Sequence, residues 1–202
     1  MKITIIIPTY NEREVIGALI DALLRVCAEM PHHIFSILVV DSNSQDDTAS
    51  LVEEKARQHG TVHLLKQNER RGLGSAYVLG IRHAIHRLAA DAFVECDADF
   101  QHDPRDILQL VAELDNGYDY IIGSRYVPGP FAARLPLEEK QLYSRFHAYK
   151  IHLLYCMFSF GAKIKEVPIA FHERGNGTSK LRTIKDIAES LKVVAILRFK
   201  GV

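Results

Sequence analysis

The sequence predicts an α/β fold in which a mostly parallel central sheet is covered by helices on both faces. Short apolar runs, typical of buried strands, alternate along the chain with segments whose apolar residues recur at helical spacing. Clusters of polar residues follow several of these runs directly, where the strands of a parallel sheet would end. The 202 residues, 48% of them hydrophobic, suffice for one domain with a substantial core.

The predicted elements follow one another from the first residues onward. Strands are predicted at residues 3–8, 35–40, 62–65, 92–96 and 120–123. Helices are predicted at residues 14–30, 44–59, 74–89 and 103–114. Ser44 with Asp47 three residues later resembles a capping box, and Asp103-Pro104 supplies an N-cap and a first-turn proline. Residues 124–139 contain three prolines and are predicted to form a loop over the site.

Net charge and cysteine content restrict the function classes. Lys and Arg together number 25, as do Asp and Glu, so the overall charge does not indicate a nucleic-acid-binding protein. Three widely spaced cysteines are typical of buried free thiols in a reducing compartment. The first residues lead directly into a strand without a signal-peptide pattern, and the apolar stretch at 151–162 is too short to span a bilayer. We therefore expect a cytoplasmic protein that at most rests on a membrane surface.

The segment from Asp97 to Asp99 carries the clearest chemical signal. The two carboxylates lie two residues apart where the fourth predicted strand ends, so in an extended chain both would face the same side. Mg²⁺ typically takes one or two protein carboxylates and completes its shell with water and substrate phosphates. A solvated turn is the alternative for a bare Asp-x-Asp sequence, but the preceding strand and the following helix start favour a metal site.

Two further polar clusters follow the first and second strands. Asp41 could form an Asx-type turn, or it could contact the base or ribose of a nucleotide. Tyr10 and Glu12 could likewise belong to a turn, although an aromatic ring and a carboxylate at a strand end suit base stacking and ribose hydroxyls. Both alternatives stay open for each cluster at this point.

A series of short motifs resembles those of family 2 glycosyltransferases. In chain order they are IIIPTYNE at 5–12, VVDSNS at 39–44, GLGSA at 72–76, DADFQHDP at 97–104 and GSRY at 123–126. The later segments EVPI at 166–169 and RGNGTSKL at 174–181 are similar to those of the dolichyl- and polyprenyl-phosphate mannosyl- and glucosyltransferases within that family. The resemblance covers residues 3–126 and 146–182.

The resemblance implies a Rossmann-like nucleotide-sugar-binding fold of the GT-A type, together with a set of site residues. The residues it assigns to the nucleoside are Pro8, Tyr10, Glu12 and Asp41. Those it assigns to the diphosphate and the sugar are Asp97, Ala98, Asp99 and Gln101, with Arg174 and Lys180 approaching from a later glycine-rich loop. It implies further that Mg²⁺ or Mn²⁺ is held by Asp97, Asp99 and Gln101. The residues that it implies to be catalytic are Asp99, Arg125, Arg174 and Lys180.

The implied reaction is the inverting transfer of a hexose, mannose or glucose, from a GDP- or UDP-sugar to a polyprenyl or dolichyl phosphate. A phosphate monoester is largely dianionic near neutral pH, so the acceptor oxygen would be the nucleophile and no general base would be required. His102 is accordingly interpreted as structural. The stretch between Arg125 and Phe146 is much shorter than the family usually carries. This shorter stretch suggests one alternative, a nucleotide-sugar-binding subunit with impaired catalysis. A family 2 transferase with a sugar-hydroxyl acceptor is a second alternative.

Beyond a predicted catalytic domain at 1–181, residues 182–202 are predicted to form an amphipathic helix. Ile184, Ile187 and Leu191 share one side of it, whereas Lys185 and Lys192 lie elsewhere. The helix could pack on the domain. Alternatively, it could lie on a membrane surface, attracted to anionic headgroups.

Overall fold

The computed structural model of the protein describes residues 1–124, 143–144, 147–170 and 183–200. Its strands are β1 (Lys2–Thr9), β2 (Ile34–Asp41), β3 (Val62–Lys66), β4 (Ala92–Glu95), β5 (Tyr120–Ser124) and β6 (Ile164–Pro168). Its helices are α1 (Arg13–Ala28), α2 (Thr48–Gln58), α3 (Leu73–Arg87), α4 (Asp106–Asp115), α5 (Tyr149–Ser159) and α6 (Thr183–Lys200). Every predicted strand and helix is present, and α5 and β6 are additional to the prediction.

Four parallel strands form the main sheet, in the order β3-β2-β1-β4. The register places Thr9 beside Asp41, and Asp41 beside Lys66, so β1, β2 and β3 end at one level. On the other side of β1, Ile6 pairs with Glu95, the last residue of β4. The predicted parallel central sheet is therefore confirmed, and its carboxyl edge collects the residues that follow each strand.

A second sheet consists of β5 and β6, which are also parallel to each other. The fifth predicted strand therefore exists, but within the described residues it pairs with β6 and not with β4. An apolar run in the sequence indicates that a segment is a strand, whereas the identity of its neighbour depends on tertiary packing.

Helices cover both faces of the main sheet, as predicted. Successive side chains of a strand point to opposite faces. In β1, Ile3, Ile5 and Ile7 pack with α1, α2 and α4 on one face, whereas Ile6 packs with α3 and α5 on the other. All four side chains are at most 1% exposed, which explains why β1 is a continuous apolar run without alternation.

Helix α3 approaches the sheet closely at Gly80. A Cβ atom at this position would lie 2.6 Å from the Ile6 side chain and 3.0 Å from the Val40 side chain. A glycine, which has no Cβ, permits this approach without displacement of either neighbour. The contact holds α3, which carries Tyr77, against β1 and β2.

Two helix starts lie later in the chain than the sequence predicts. Helix α2 begins at Thr48 and not at Ser44, and Asp47 before it has a left-handed φ of 62° and makes no capping hydrogen bond. The Ser44 hydroxyl instead bonds to the end of β2 and to the loop after β1. Helix α4 begins at Asp106, because Asp103 caps a separate turn that precedes it. In both places a local side-chain bond competes with the helix start.

Helix α6 packs against α5 along one stripe. Val193 and Leu197 are at most 4% exposed and contact Ala148. The Ser144 hydroxyl donates a hydrogen bond of 2.6 Å to Glu189. Apolar side chains elsewhere on the helix are exposed: Ile184, Ile187, Leu191, Val194 and Phe199. Among the described helices, none combines the length and the apolar character that a membrane span requires.

Candidate active site

The carboxyl edge of the main sheet gathers polar side chains from four connections. Its strands end in Thr9, Asp41, Lys66 and Glu95, and the predicted site segments follow three of these residues directly. Because parallel strands end at the same edge, segments distant in sequence lie next to one another here. The three clusters that the sequence singled out therefore meet in one region.

Asp41 is 2% exposed and accepts three hydrogen bonds. The Thr9 hydroxyl donates at 3.1 Å, the Ser44 hydroxyl at 2.5 Å and the Ser44 N–H at 3.0 Å. The turn-forming role that the sequence left open is therefore present. Contact with a nucleoside stays a prediction, and it would use a carboxylate whose position these bonds already fix.

The loops after β1 and β2 are joined by hydrogen bonds. The Asn11 N–H donates to Ser44 at 2.9 Å, and the Gln45 N–H donates back to the Asn11 side chain at 2.9 Å. The Glu12 N–H donates to the Thr48 hydroxyl at 3.0 Å. Asn11 adopts a φ of 55°, which asparagine tolerates better than most residues. The two loops consequently form one continuous surface, the platform, which includes Tyr10 and Glu12.

Arg70 joins this platform from the loop after β3. Its guanidinium carbon lies 4.3 Å from the centroid of the Tyr10 ring, a cation–π contact. The exposed guanidinium places positive charge beside the predicted nucleoside position. Sequence reasoning missed Arg70, although its place two residues before the GLGSA motif could have drawn attention to it.

Asp97 is the first residue of the acidic segment, residues 97–101, and is partly exposed. The Tyr77 hydroxyl donates to its carboxylate at 2.9 Å, and His102 Nε2 lies 4.0 Å from the other carboxylate oxygen. Burial opposes ionisation, but the charge of Lys150 and the Tyr77 hydrogen bond outweigh it and lower the pKa of Asp97 below its ordinary value. The carboxylate is therefore anionic at neutral pH and oriented by a buried phenol.

Lys150 of α5 provides the positive charge behind the acidic segment. Its Nζ lies 3.4 Å from Glu95 Oε2 and 5.4 Å from the centroid of the Tyr77 ring. Burial opposes its charge, but Glu95 and Asp97 outweigh this effect and raise the pKa of Lys150. Sequence reasoning missed both Lys150 and the hydroxyl of Tyr77, which the helical pattern identified only as an apolar face residue.

The geometry expected for the acidic pair was wrong in one respect. Strand β4 ends at Glu95, and Asp97 and Asp99 lie in the connection after it, so alternation along an extended strand does not align them. The Gln101 N–H donates to Asp99 at 3.1 Å, which closes a turn. Ala98 is 6% exposed and its side chain packs in the core. Only its backbone could therefore contact a nucleotide-sugar.

The acidic segment has the chemistry of a divalent metal site. Asp97, Asp99 and Gln101 are all partly exposed at the sheet edge. Carboxylate and amide oxygens are the hard ligands that Mg²⁺ and Mn²⁺ prefer, and Asp97 is held in its charged form. These three residues fit either ion. Arg125, Arg174 and Lys180, predicted to contact phosphates, lie outside the described residues.

Cys96 precedes the acidic segment without contributing a reactive thiol. The cysteines of the described residues, Cys27, Cys96 and Cys156, are free, as predicted. Burial raises the pKa of the Cys96 thiol to about 12, with Asp97 and Asp99 adding to the effect. A protonated, buried thiol is a poor nucleophile and a poor metal ligand.

A cavity of about 340 Å³ lies beside the acidic segment. Its apolar lining includes Phe93, Val94, Ile107, Ile122, Leu153 and Ile169. These residues come from β4, α4, β5, α5 and the position after β6, so the cavity lies where the two sheets separate. His102 and Lys150 also line it, and both are neighbours of Asp97. An apolar space therefore adjoins the charged edge of the sheet.

Sequence comparisons relate the chain to known glycosyltransferases. Residues 4–164 match the family model described as glycosyl transferase family 2. Polyprenol monophosphomannose synthase from Mycolicibacterium smegmatis is 31% identical over 98% of this chain and 87% of its own length. Dolichol-phosphate mannosyltransferase from Pyrococcus furiosus is 31% identical over 100% of this chain and 65% of its own length. These alignments run over 237 and 238 positions, more than the 202 residues here, so both relatives contain residues that this chain lacks.

Solved structures agree with the predicted fold. A mannosyltransferase from Pyrobaculum calidifontis in complex with GDP-Man and Mn²⁺ is 30% identical, with a TM-score of 0.50 over 62% of this chain and 35% of that chain. Glucosyl-3-phosphoglycerate synthase from Mycobacterium tuberculosis in complex with Mg²⁺ and UDP has a TM-score of 0.63 over 97% of this chain and 78% of that chain. At 20% sequence identity, this similarity is evidence for the fold and not for the function. The predicted GT-A type fold is confirmed.

Proposed function

Because the chain belongs to glycosyl transferase family 2, we propose that it transfers a hexose, in the first place mannose, from a nucleotide-sugar to a polyprenyl phosphate. The observation that carries the proposal is the similarity, over nearly the whole chain, to proteins named as polyprenol- and dolichol-phosphate mannosyl transferring enzymes. The geometry of the carboxyl edge supports the donor half of this reaction.

The nucleoside of the donor is proposed to lie on the platform formed by the loops after β1 and β2. Tyr10 is proposed to contact the base, and Glu12 has a carboxylate suited to ribose hydroxyls. Pro8 and Asp41, both buried at the strand ends, are proposed to add further contacts to the nucleoside. Arg70, next to Tyr10, adds a cation that would favour an anionic ligand. GDP-mannose is the first donor to test, because the Pyrobaculum calidifontis mannosyltransferase was solved with GDP-Man.

The diphosphate is proposed to lie at the acidic segment, where Asp97, Asp99 and Gln101 would hold Mg²⁺ or Mn²⁺. A divalent ion, when bound, neutralises the charge that develops on the leaving nucleoside diphosphate. The protein holds Asp97 in its anionic form through Lys150 and orients it through Tyr77. Arg125, Arg174 and Lys180 are proposed to supply further positive charge to the phosphates.

The acceptor half of the proposed reaction needs no protein base. The second pKa of a phosphate monoester is about 6, so its oxygen is anionic near neutral pH and can attack the anomeric carbon directly. As the new bond to the phosphate oxygen forms, the bond to the nucleoside diphosphate breaks, and the configuration inverts. His102, partly exposed and 4.0 Å from Asp97, is proposed to support the acidic segment without transferring a proton to the substrate.

Peripheral contact with a membrane surface is proposed for α6, which would bring the enzyme to a lipid acceptor on the cytoplasmic side. Ile184, Ile187, Leu191 and Val194 recur at spacings of three and four, which places them on one helix face. All four are at least 49% exposed, although they are apolar. The opposite stripe is already used for packing on α5. An exposed apolar face of this kind favours an interface between water and lipid.

The proposal is tested by incubating the purified protein with labelled GDP-mannose or UDP-glucose, a polyprenyl phosphate in detergent and either Mg²⁺ or Mn²⁺. We expect label in the lipid fraction with GDP-mannose, only when a divalent ion is present. Failure of every donor to label the lipid would contradict the proposal. Transfer to a sugar hydroxyl would favour the alternative acceptor class. Donor binding without any transfer would favour the binding-subunit alternative. The observation that supports this alternative is that the relative contains residues which this chain lacks.

A further inference from the structure

A second cluster of ligand-type side chains lies at the amino edge of the main sheet, opposite the candidate active site. His32 and His33 immediately precede β2, and Asp115 is the last residue of α4. Strand β2 has 8 residues, which at ~3.3 Å per residue separate this cluster from Asp41 by about 25 Å. Nothing in the proposed reaction uses these three side chains.

The three side chains converge on one point. His33 Nε2 lies 3.1 Å and His32 Nε2 lies 3.4 Å from the same oxygen, Asp115 Oδ2. Within the described part of the chain, this is the one group in which three histidine, cysteine or carboxylate ligand atoms lie within 4.8 Å of one another. Ligands bound to a tetrahedral ion at about 2.1 Å are roughly 3.4 Å apart. Two of the separations therefore already match a shared ion.

The cluster is fixed on one side and open on the other. The His33 side chain is 3% exposed, and its ring meets Phe35 edge-on at a centroid distance of 5.9 Å. The His32 side chain is 63% exposed, and its ring lies 4.2 Å from that of His33. A buried ligand restricts the geometry, whereas an exposed one leaves a path for an ion and room for water in its remaining coordination positions.

Asp115 stands at the negative end of a helix. The last turn of α4, which is fully described, contains no basic residue. The carbonyl groups at a helix C-terminus carry a partial negative charge, so a carboxylate there is disfavoured and a cation is favoured. The Met1 ammonium group lies 3.5 Å from His33 Nδ1, and a cation bound at Nε2 would bring a positive charge directly to the Asp115 carboxylate.

We propose that His32, His33 and Asp115 form a binding site for a divalent transition-metal ion. Two imidazoles and one carboxylate suit Zn²⁺, Co²⁺ or Ni²⁺, whereas Mg²⁺ prefers oxygen ligands alone. The ion joins the connection between α1 and β2 to the end of α4 and stabilises the fold at the edge remote from the candidate active site. The site is independent of the proposed transfer reaction.

The test measures the binding of Zn²⁺ and Co²⁺ to the full chain by calorimetry, by the visible absorption of Co²⁺ and by thermal unfolding. Excess Mg²⁺ is present throughout, so that the acidic segment is occupied. The variants are Asp115→Asn and His32→Ala, the second of which should fold normally because the His32 side chain is exposed. His86→Ala, exposed on α3, is the matched control. The unmodified chain should bind one Zn²⁺ equivalent in Mg²⁺, with a rise in unfolding midpoint of roughly 5–10 °C at a hundredfold excess over Kd.

His32→Ala should weaken Zn²⁺ binding roughly tenfold or more and abolish most of the rise in midpoint, and His86→Ala should change neither. If Asp115→Asn fails to fold, His32→Ala still decides the matter. Equal Zn²⁺ affinity in the unmodified chain and in His32→Ala would overturn the proposal. So would the absence of Zn²⁺ binding in the unmodified chain, which would leave the cluster as two imidazoles hydrogen-bonded to one carboxylate.

Discussion

The main sheet and the second sheet build the candidate site in different ways. In the main sheet, β1 pairs along its length with β2 and along half of it with β4, and the loops after the strands bond to one another. The second sheet has two five-residue strands, and β6 has no fully buried residue. Helix α5 lies between β5 and β6 in the chain and forms the second region with them. It contributes Lys150 to the charged edge of the main sheet. The loops that carry Tyr10 and Asp41 therefore depend on contacts within the main sheet, whereas the positive charge beside Asp97 depends on how α5 packs against that sheet.

The largest effect is expected from Asp97→Asn, which removes the negative charge that Lys150 stabilises and that the proposed metal ion would bind. Sugar transfer should fall roughly 100-fold or more, since a metal ion supplies several kcal/mol of charge stabilisation. The initial rate with GDP-mannose measures the effect, and Mn²⁺ affinity should weaken in parallel. Glu54→Gln, an exposed carboxylate on α2, is the control and should leave both values unchanged. A rate close to that of the unmodified chain would remove the acidic segment from the reaction.

Gly80→Ala tests whether the main sheet tolerates a looser contact with α3. The new methyl group would lie 2.6 Å from the Ile6 side chain, so the free energy of unfolding should fall by about 1–3 kcal/mol. Chemical denaturation measures this change. Gly60→Ala is the matched control, since a Cβ atom there meets no atom within 4 Å. Equal stability of the two variants would show that α3 can move away from the sheet at little cost.

Lys150→Met tests how much the second region contributes to the charge of the acidic segment. Without the ammonium group the pKa of Asp97 should rise, because Lys150 is the main charge that lowers it. A lowered carboxyl pKa contributes stability that is present above the ordinary Asp value of about 3.9 and is lost as the pH falls through the folded value. A carboxyl group must be deprotonated to bind a metal ion, so the variant should also lose Mn²⁺ affinity at a higher pH than the unmodified chain.

The control for Lys150→Met is Lys163→Met, which removes an exposed ammonium group between α5 and β6. It should shift neither the pH dependence of Mn²⁺ binding nor the rate. If Lys150→Met and the unmodified chain lose Mn²⁺ affinity at the same pH, Lys150 has no electrostatic effect on the proposed metal site.

The smallest effect is expected from Arg70→Ala at the donor platform. An exposed charge interaction contributes about 0.2–1 kcal/mol, so removing the Arg70 cation beside the proposed nucleoside position should weaken donor affinity by up to roughly fivefold. Equilibrium binding of GDP and of GDP-mannose measures this. Arg71→Ala, whose guanidinium group pairs with Glu69, is the neighbouring control. If both variants bind equally, the Tyr10 contact does not assist donor binding.

The sequence by itself determined the parallel α/β fold and the family. An apolar run such as 3–8 encodes a buried strand through local composition alone, and the polar residues that follow it must lie at the carboxyl edge. The motif at 97–104 similarly identified the acidic segment before any distance was known. These features depend on residues close together in the chain, which is why the pattern predicts them.

Only the tertiary structure decided the surroundings of those residues. It brings Lys150 and the Tyr77 hydroxyl to Asp97, separates β5 from the main sheet, and places His32 and His33 against Asp115. These side chains come from elements far apart in sequence, and their contacts follow from which helix packs on which face. Spacing along the chain does not encode such contacts, because they arise from the burial of apolar faces elsewhere in the molecule.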